Sequence, residues 1–174
     1  MKAQVVYESM FGNTRDIAVA IADGLAAHVK TGVAEIGDFD SKSGEDVDLL
    51  VAGGPTHTFG LSWSRTRADA ANRATMPVVS RGGGLREWLA DLPESGTTRN
   101  AATFDTRVHV RGLPGSAARG AARRLRRRGY RLVVAPESFF VTGPTGPVAD
   151  GELERARAWG DRLGRGLHDD FTTD

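Results

Sequence analysis

The 174-residue sequence predicts an α/β fold in which a parallel sheet is covered by helices on both faces. Short apolar segments alternate with segments of helical periodicity along nearly the whole chain, as expected for that arrangement. The apolar segments at residues 2–7 and 47–52 are too uniformly apolar for half-exposed strands and suit buried parallel ones. Polar loops follow several strand ends, and in such sheets ligands bind beyond the carboxyl ends of the strands.

The elements of the first half follow from apolar spacing and turn residues. The first strand is predicted at residues 2–7 and the first helix at about 14–28, where Ile17, Ile21 and Leu25 recur on one face. The remaining elements are a weak edge strand at 33–36, a strong strand at 47–52, a helix at 61–72 and a short helix at 85–92. Trp88 falls on the apolar stripe of that short helix and is predicted to be core.

The second half continues the alternation. A strand is predicted at 100–104, ending at Asp105, and a loop at 108–115. A helix from about Ser116 ends before Gly129, which is a typical C-terminal stop. The final elements are a strand at 130–135, its continuation at 139–141 beyond an irregular break at Pro136, and a last helix that buries Trp159. We expect one domain at residues 1–168 and a polar tail at 169–174.

Composition narrows the possible functions. The formal net charge of +1 points to no particular partner, and the absence of cysteine excludes disulfides, thiolate metal sites and a cysteine nucleophile. No apolar segment approaches the roughly 20 residues that cross a bilayer, so no membrane association is expected. Because no basic and apolar leader precedes the first strand, we expect a cytoplasmic protein.

The loop after the first strand has the composition of a phosphate-binding turn. Ser9, Asn13 and Thr14 supply polar side chains around Gly12, and a helix starts immediately afterwards. Backbone N–H groups in such a loop, together with the first helical turn, point at one place and bind anions. Since the first cation is Arg15, we expect dipoles and hydroxyls to hold the phosphate instead of a salt bridge.

This stretch resembles the FMN-phosphate loop of the flavodoxin family. The pattern of that loop is satisfied in full by Val5, Val6, Tyr7, Ser9, Gly12, Thr14, Ala18 and Ile21. A second loop, with Gly53, Gly54, Pro55, Thr56 and Gly60, is similar to the family's second flavin loop. The resemblance implies a five-stranded flavodoxin-like sheet of order 2-1-3-4-5 and FMN as the cofactor.

The resemblance also implies which residues bind the cofactor. The phosphate would be bound by Ser9, Met10, Phe11, Gly12, Asn13 and Thr14. The flavin ring would be bordered by Pro55, Thr56, His57, Thr58, Phe59 and Gly60. A third loop at Asp105, Thr106 and Arg107 completes the expected site.

Two features depart from the family pattern. Flavodoxins commonly stack an aromatic residue of the third loop on the flavin, but no aromatic residue occurs between Phe104 and Tyr130. Phe11, His57, Phe59 and Trp63 are the alternatives for stacking. Electron-carrying flavodoxins are also strongly acidic, whereas this chain is nearly neutral. Because reduced FMN is anionic, weaker repulsion predicts a less negative potential for the fully reduced cofactor.

The function favoured by these patterns is an FMN-binding electron carrier with redox partner proteins. The alternatives are an FMN-dependent NAD(P)H:quinone-type reductase and a module that has lost FMN and acts by protein interaction. A proton relay through His57 is conceivable, but a hydrogen bond within its own loop is the favoured interpretation, so no catalytic residue is predicted. No metal site is expected, because the remaining histidines lack partners at ligand spacing.

An arginine-rich segment runs from Arg119 to Arg131. A solvated helix face is the simpler interpretation, and docking of an acidic redox partner is the sharper one. Nucleic-acid binding is disfavoured because aromatic residues do not interleave with these arginines. A nucleotide-binding P-loop is excluded, because the chain lacks the sequence Gly-Lys-Ser/Thr. A phosphorelay receiver is excluded, because Glu8 has no cluster of acidic residues beside it at the end of the first strand.

Overall fold

Strands and helices alternate along the residues that the computed structural model describes, which are 1–41, 47–57, 60–74, 77–94, 99–110 and 114–169. The strands are β1 (Lys2–Tyr7), β2 (Lys30–Glu35), β3 (Leu49–Pro55), β4 (Arg99–Val108), β5 (Tyr130–Leu132) and β6 (Glu137–Val141). The helices are α1 (Asn13–Ala26), α2 (Ser64–Arg73), α3 (Leu85–Asp91), α4 (Ala117–Arg127) and α5 (Glu152–Asp169).

The sheet is parallel and has the order β2-β1-β3-β4-β5, which confirms the predicted topology. β5 pairs with the beginning of β4, and β6 pairs with its end, from Phe104 to Val108. Because β3 occupies the other edge of β4 as far as Thr106, β5 and β6 share one edge. The fifth position of the sheet is therefore an interrupted strand, with the break at residues 133–136 where the sequence predicted one.

Helices cover both faces of the sheet. On one face α1 and α5 pack against the strands, with Ile17, Ile21 and Trp159 in the same apolar cluster as Val5. On the other face α3 and α4 enclose a second cluster around Val6, because successive residues of a strand point to opposite faces. Trp88 and Trp159 are buried, as predicted.

The predicted start of the third loop, at Asp105, is wrong. β4 does not end at Phe104 but continues through Asp105, Thr106 and Arg107 to Val108. The reason is tertiary pairing: both β3 and β6 bond to this part of β4, so a polar sequence becomes strand. Of the tail predicted at 169–174, Asp169 belongs to α5, while residues 170–174 lie outside the described residues, as do Thr58 and Phe59 of the second loop.

β3 also runs further than predicted, because two glycines let it pass close to its neighbours. A Cβ on Gly53 would lie 2.2 Å from the ring of Phe104. The strand therefore delivers Pro55 to the carboxyl edge of the sheet, beside the end of β1. Among the described helices, none has the length and apolarity needed to cross a membrane.

Candidate functional site

A cavity of about 300 Å³ opens at the carboxyl edge of the sheet, where β1, β3 and β4 end. Its lining combines hydroxyl groups, a few apolar side chains, the guanidinium of Arg107 and the carboxylate of Asp69. The residues that line it are Ser9, Met10, Phe11, Asn13, Thr14, Pro55, Thr56, His57, Thr66, Asp69, Ala70, Thr106, Arg107, Val108, Val141, Pro144 and Thr145. The three loops or strand ends that the sequence singled out thus meet at one place.

The first loop turns at Gly12, immediately before α1. Gly12 has φ +92°, a left-handed conformation that glycine adopts without strain, and its N–H donates to Ser9 Oγ over 3.1 Å. No side chain caps the start of α1, and Asn13 and Thr14 of its first turn line the cavity. The positive end of the helix dipole is therefore directed at the cavity.

A short segment that the sequence did not single out holds this loop from behind. Ser80 donates its N–H to the carbonyl of Ser9 over 2.8 Å, and Ser9 returns its N–H to Ser80 Oγ over 2.9 Å. The Ser80 hydroxyl in turn donates to the Glu35 carboxylate over 2.5 Å. Nothing in the sequence around Ser80 signalled this contact, because it joins residues 71 positions apart.

Two further contacts connect the first loop to the other walls. The hydroxyls of Thr14 and Thr106 lie 2.7 Å apart, so α1 and β4 are joined across the cavity. Asn13 donates its side-chain N–H to the carbonyl of Thr145 over 3.1 Å. Thr145 and Pro144, in the loop after β6, also line the cavity and were not predicted from the sequence.

Asp105 does not line the cavity and instead supports it from the interior. Its carboxylate is fully buried and accepts hydrogen bonds from Thr56 Oγ1 at 3.0 Å, Ser116 Oγ at 2.6 Å and the Ala118 N–H at 3.0 Å. Asp105 thereby joins the end of β3 to the start of α4. Of the predicted third-loop residues, Thr106 and Arg107 are the ones that reach the cavity.

His57 and Gly60 form a tight turn below the cavity. Each donates its N–H to the carbonyl of the other over 2.9 Å. Burial lowers the pKa of His57 below its ordinary 6.5, so its imidazole is neutral at neutral pH. His57 lines the cavity whereas Gly60 does not, and Gly60 lies on the opposite side of the turn.

Two of the four predicted stacking candidates, Phe11 and His57, line the cavity, and Phe59 lies outside the described residues. The fourth, Trp63, points elsewhere and packs on the Arg86 guanidinium. Arg107 is the cation in the lining, and its Nη1 donates to the carbonyl of Gly115 over 2.6 Å. Within the described ranges no three histidine, aspartate or glutamate side chains gather in a way that suits a metal ion.

Comparison with known proteins agrees with this arrangement. Residues 5–82 match the family model described as Flavodoxin. A flavodoxin from the domain Archaea superimposes with a TM-score of 0.68 at 18% identity, covering 97% of this chain and 99% of that chain. Flavodoxin 1 from Bacillus cereus superimposes with a TM-score of 0.65 at 18% identity, covering 95% and 98%.

A flavodoxin described as a WrbA-like protein from Agrobacterium tumefaciens has a TM-score of 0.63 at 20% identity, covering 97% of this chain and 98% of that chain. At these identities the structural matches establish the fold. No curated protein sequence matches the chain. FMN is the cofactor of the flavodoxin family, so it is the cofactor that the family match indicates.

The residues around the cavity fit the two ends of FMN. An uncapped helix start, a left-handed glycine and several hydroxyls suit a phosphate, while Met10, Pro55 and Val108 provide apolar surface suited to a ring. The cavity is at the small end of the usual range for ligand sites. The chain has a flavodoxin-like fold, and its residues 5–82 match the family model described as Flavodoxin.

Proposed function

We propose that this chain binds FMN in the cavity and carries electrons between partner proteins. The observation that carries the proposal is the uncapped start of α1, which follows the left-handed Gly12 and faces a cavity lined by Thr14, Thr56 and Thr106. This geometry matches an anion attached to a larger polar and apolar molecule. Bound FMN would supply reversible electron transfer at this edge of the sheet.

The chain's own residues divide into two groups in this proposal. The loop from Ser9 to Thr14 would bind the phosphate, and the Ser80 contacts would keep that loop in position. Pro55, Thr56 and His57 would border the ring, with Asp105 orienting Thr56 from behind. His57, neutral at neutral pH, offers no positive charge to the ring, so Arg107 is the cation in the described lining.

An electron carrier needs access for its partners. Pro144 and Thr145 line the cavity and are exposed, so the cavity opens to the surface. On α4 the side chains of Arg119, Arg123 and Arg126 are exposed and form a basic face. We propose that acidic redox partners dock on this face, since complementary charge raises association rates.

The cofactor is tested by titrating FMN into protein from which flavin has been removed. We expect quenching of FMN fluorescence and a raised Tm, because a ligand that binds only the folded state stabilises it. Riboflavin, which lacks the phosphate, should bind at least about tenfold more weakly if charge-assisted hydrogen bonds hold that group. Equal affinities for FMN and riboflavin would contradict the phosphate site.

A matched pair of variants tests the loop itself. Gly12→Ala places a side chain at φ +92° in the loop, and Gly151→Ala places one at φ +78° at the start of α5, where a Cβ meets open space. Both changes introduce similar backbone strain. We expect only Gly12→Ala to weaken FMN binding, and equal losses in both variants would count against the proposal.

A final measurement separates the carrier from a reductase. NADH or NADPH is added without oxygen to the FMN-loaded protein, and flavin absorbance is followed. A carrier stays oxidised until a partner protein is supplied, whereas rapid bleaching by the nucleotide alone would favour an FMN-dependent reductase. Failure of the protein to take up FMN would favour a module that acts by protein interaction.

A further inference from the structure

A second concave site lies on the other side of the His57–Gly60 turn. It is a recess of about 330 Å³ between the start of α2, the start of α3 and α4, here termed the arginine recess. Its lining residues are Gly60, Leu61, Trp63, Arg86, Ser116, Gly120, Arg123 and Arg124. Three guanidinium groups therefore surround one small volume, and no carboxylate is part of the described lining.

The charges in the recess are only partly compensated. Burial lowers the pKa of Arg86, and the neighbouring Arg124 lowers it further. Glu87 is a carboxylate that raises the pKa of both Arg86 and Arg124, but its Oε2 is engaged by Arg67 at 3.1 Å and by the Gly84 N–H at 2.8 Å. An anion that entered the recess would relieve the mutual repulsion of the guanidinium groups.

Two of the guanidinium groups are held in place by backbone carbonyls. Arg86 donates to the carbonyl of Ser62 at 3.0 Å and to that of Leu61 at 2.7 Å. Arg124 donates to the carbonyl of Gly120, one helical turn earlier, at 3.3 Å. Their positions are thus set before any ligand arrives, which reduces the entropy lost on binding.

Trp63 adds a second kind of surface at the edge of the recess. It is 57% exposed, although large aromatic side chains are usually mostly buried, and the Arg86 guanidinium lies 3.6 Å from its ring centroid. The indole and guanidinium planes offer a platform on which a planar heterocycle can stack. Cationic groups that bind phosphate and an exposed aromatic ring together suit a nucleotide.

We propose that the arginine recess binds the phosphate groups of a nucleotide, with the base stacked at Trp63. A small ligand is favoured over an acidic protein because the guanidinium groups of Arg86 and Arg124 are half-buried in a concavity instead of spread over the outer face of α4. The inference goes beyond the FMN site: Gly60 lines the recess while His57 lines the cavity, so the two sites are separated by their shared turn.

The proposal is tested by calorimetry and tryptophan fluorescence with the full chain, using pyrophosphate, ADP, NADPH and adenosine as probes. ADP should bind more tightly than pyrophosphate and should change the fluorescence of Trp63, since the other two tryptophans are buried. Adenosine should bind far more weakly. The affinity for ADP should fall as salt is raised, because partly exposed charges are screened.

Two double variants locate the site. Arg123→Gln with Arg124→Gln removes two recess guanidinium groups, whereas Arg119→Gln with Arg126→Gln removes two from the same helix outside the recess. The recess variant should weaken ADP binding at least about tenfold, and the control should change it little. Arg123→Gln alone, at an exposed position, provides a milder variant if the double one is unstable.

Three outcomes would overturn the proposal: no binding of ADP at millimolar concentrations, equal losses in both double variants, or adenosine binding as tightly as ADP. Equal affinities for ADP and pyrophosphate would overturn the stacking at Trp63. NADPH binding tighter than ADP would identify a dinucleotide as the better ligand and support the site. Performing the titrations with and without FMN keeps this test separate from that of the proposed function.

Discussion

Glu8 is a buried carboxyl group at the end of β1, next to the residues that begin the first loop. It is 1% exposed, and its Oε2 accepts hydrogen bonds from Ser62 Oγ at 2.9 Å and from the Leu85 N–H at 2.8 Å. Burial raises the pKa of Glu8 above its ordinary 4.5, although these hydrogen bonds and Arg67 act in the opposite direction. The folded protein therefore holds a proton on Glu8 more tightly than the unfolded chain does.

This linkage predicts a pH-dependent effect of Glu8→Gln. The contribution of Glu8 to stability is fully present below about pH 4.5 and is lost as pH rises through its raised folded-state pKa. Glutamine does not titrate, so the stability of the wild type relative to Glu8→Gln should fall over that range, by about 1.4 kcal/mol per unit of pKa shift. Urea unfolding between about pH 4 and about pH 8 measures this difference.

Glu94→Gln makes the same change at an exposed position and controls for the altered net charge. The linkage is wrong if, after this correction, the stability of the wild type relative to Glu8→Gln stays constant or rises as pH is raised. Glu8→Gln leaves the hydroxyl of Ser62 and the Leu85 N–H with an amide oxygen to bond, so gross loss of packing is not expected.

At the scale of single residues, the sequence predicted which polar residues belong to the site better than it predicted whether each side chain faces the cavity or the interior. Ser9, Thr14 and Thr56 were predicted as site residues, and they line the cavity, because a strand that ends at a loop must present its next polar residues at the sheet edge. Asp105 and Thr106 are adjacent and polar, but alternation along β4 sends one into the interior and the other toward the cavity. That outcome depends on where the strand ends, which only its pairing decides.

The packing of α1 against α5 depends on glycines that permit backbone contact. A Cβ on Gly160 would lie 2.1 Å from the carbonyl oxygen of Ile21, and one on Gly24 would lie 2.1 Å from that of Arg157. Neither obstacle is a flexible side chain, so any larger residue must push the helices apart. These two helices cover one face of the sheet, and the first helical turn of α1 lines the cavity.

Gly160→Ala and Gly166→Ala make the same substitution in the same helix with opposite expected results. Gly160→Ala should destabilise the protein by about 3 kcal/mol through overpacking. Gly166→Ala meets open space and should stabilise it by about 0.5–1 kcal/mol, because alanine loses less entropy in a helix. The midpoint of urea unfolding measures both changes, and equal effects of the two substitutions would refute the close helix contact.

Elements were predicted well where apolar periodicity is strong and less well where long-range pairing decides. The strand at 2–7 and the helix at 85–92 appear within a residue of their expected limits as β1 and α3. β4 is longer than predicted because its polar end is paired on both edges. β5 is shorter than predicted because its pairing to β4 ends at Leu132, although Val133 still donates its N–H to the carbonyl of Ala101.

Across the whole molecule, fold and site location follow from one arrangement. All strands run parallel, so β1, β3 and β4 end at the same edge, and the order reverses between β1 and β3. A cavity at that edge could be foreseen from the alternation of elements alone. The loop at Pro144 and Thr145 and the support from Ser80 could not, because hydrogen bonds between distant segments leave no local sequence pattern.

The near-neutral charge of the molecule leads to a prediction for the FMN-loaded protein. Reduced FMN is anionic, and Arg107 is the cation in the described cavity lining, so its charge should favour reduction. Arg107→Gln should therefore make the potential of the two-electron couple more negative by roughly 20 mV, equivalent to on the order of 1 kcal/mol.

Arg131→Gln makes the same change at the amino end of the sheet, where Arg131 bonds to Asn100, and should leave the potential nearly constant. Redox titration of both variants at low salt measures the shift, and a potential unchanged by Arg107→Gln or shifted equally by both variants would show that Arg107 does not act on the flavin.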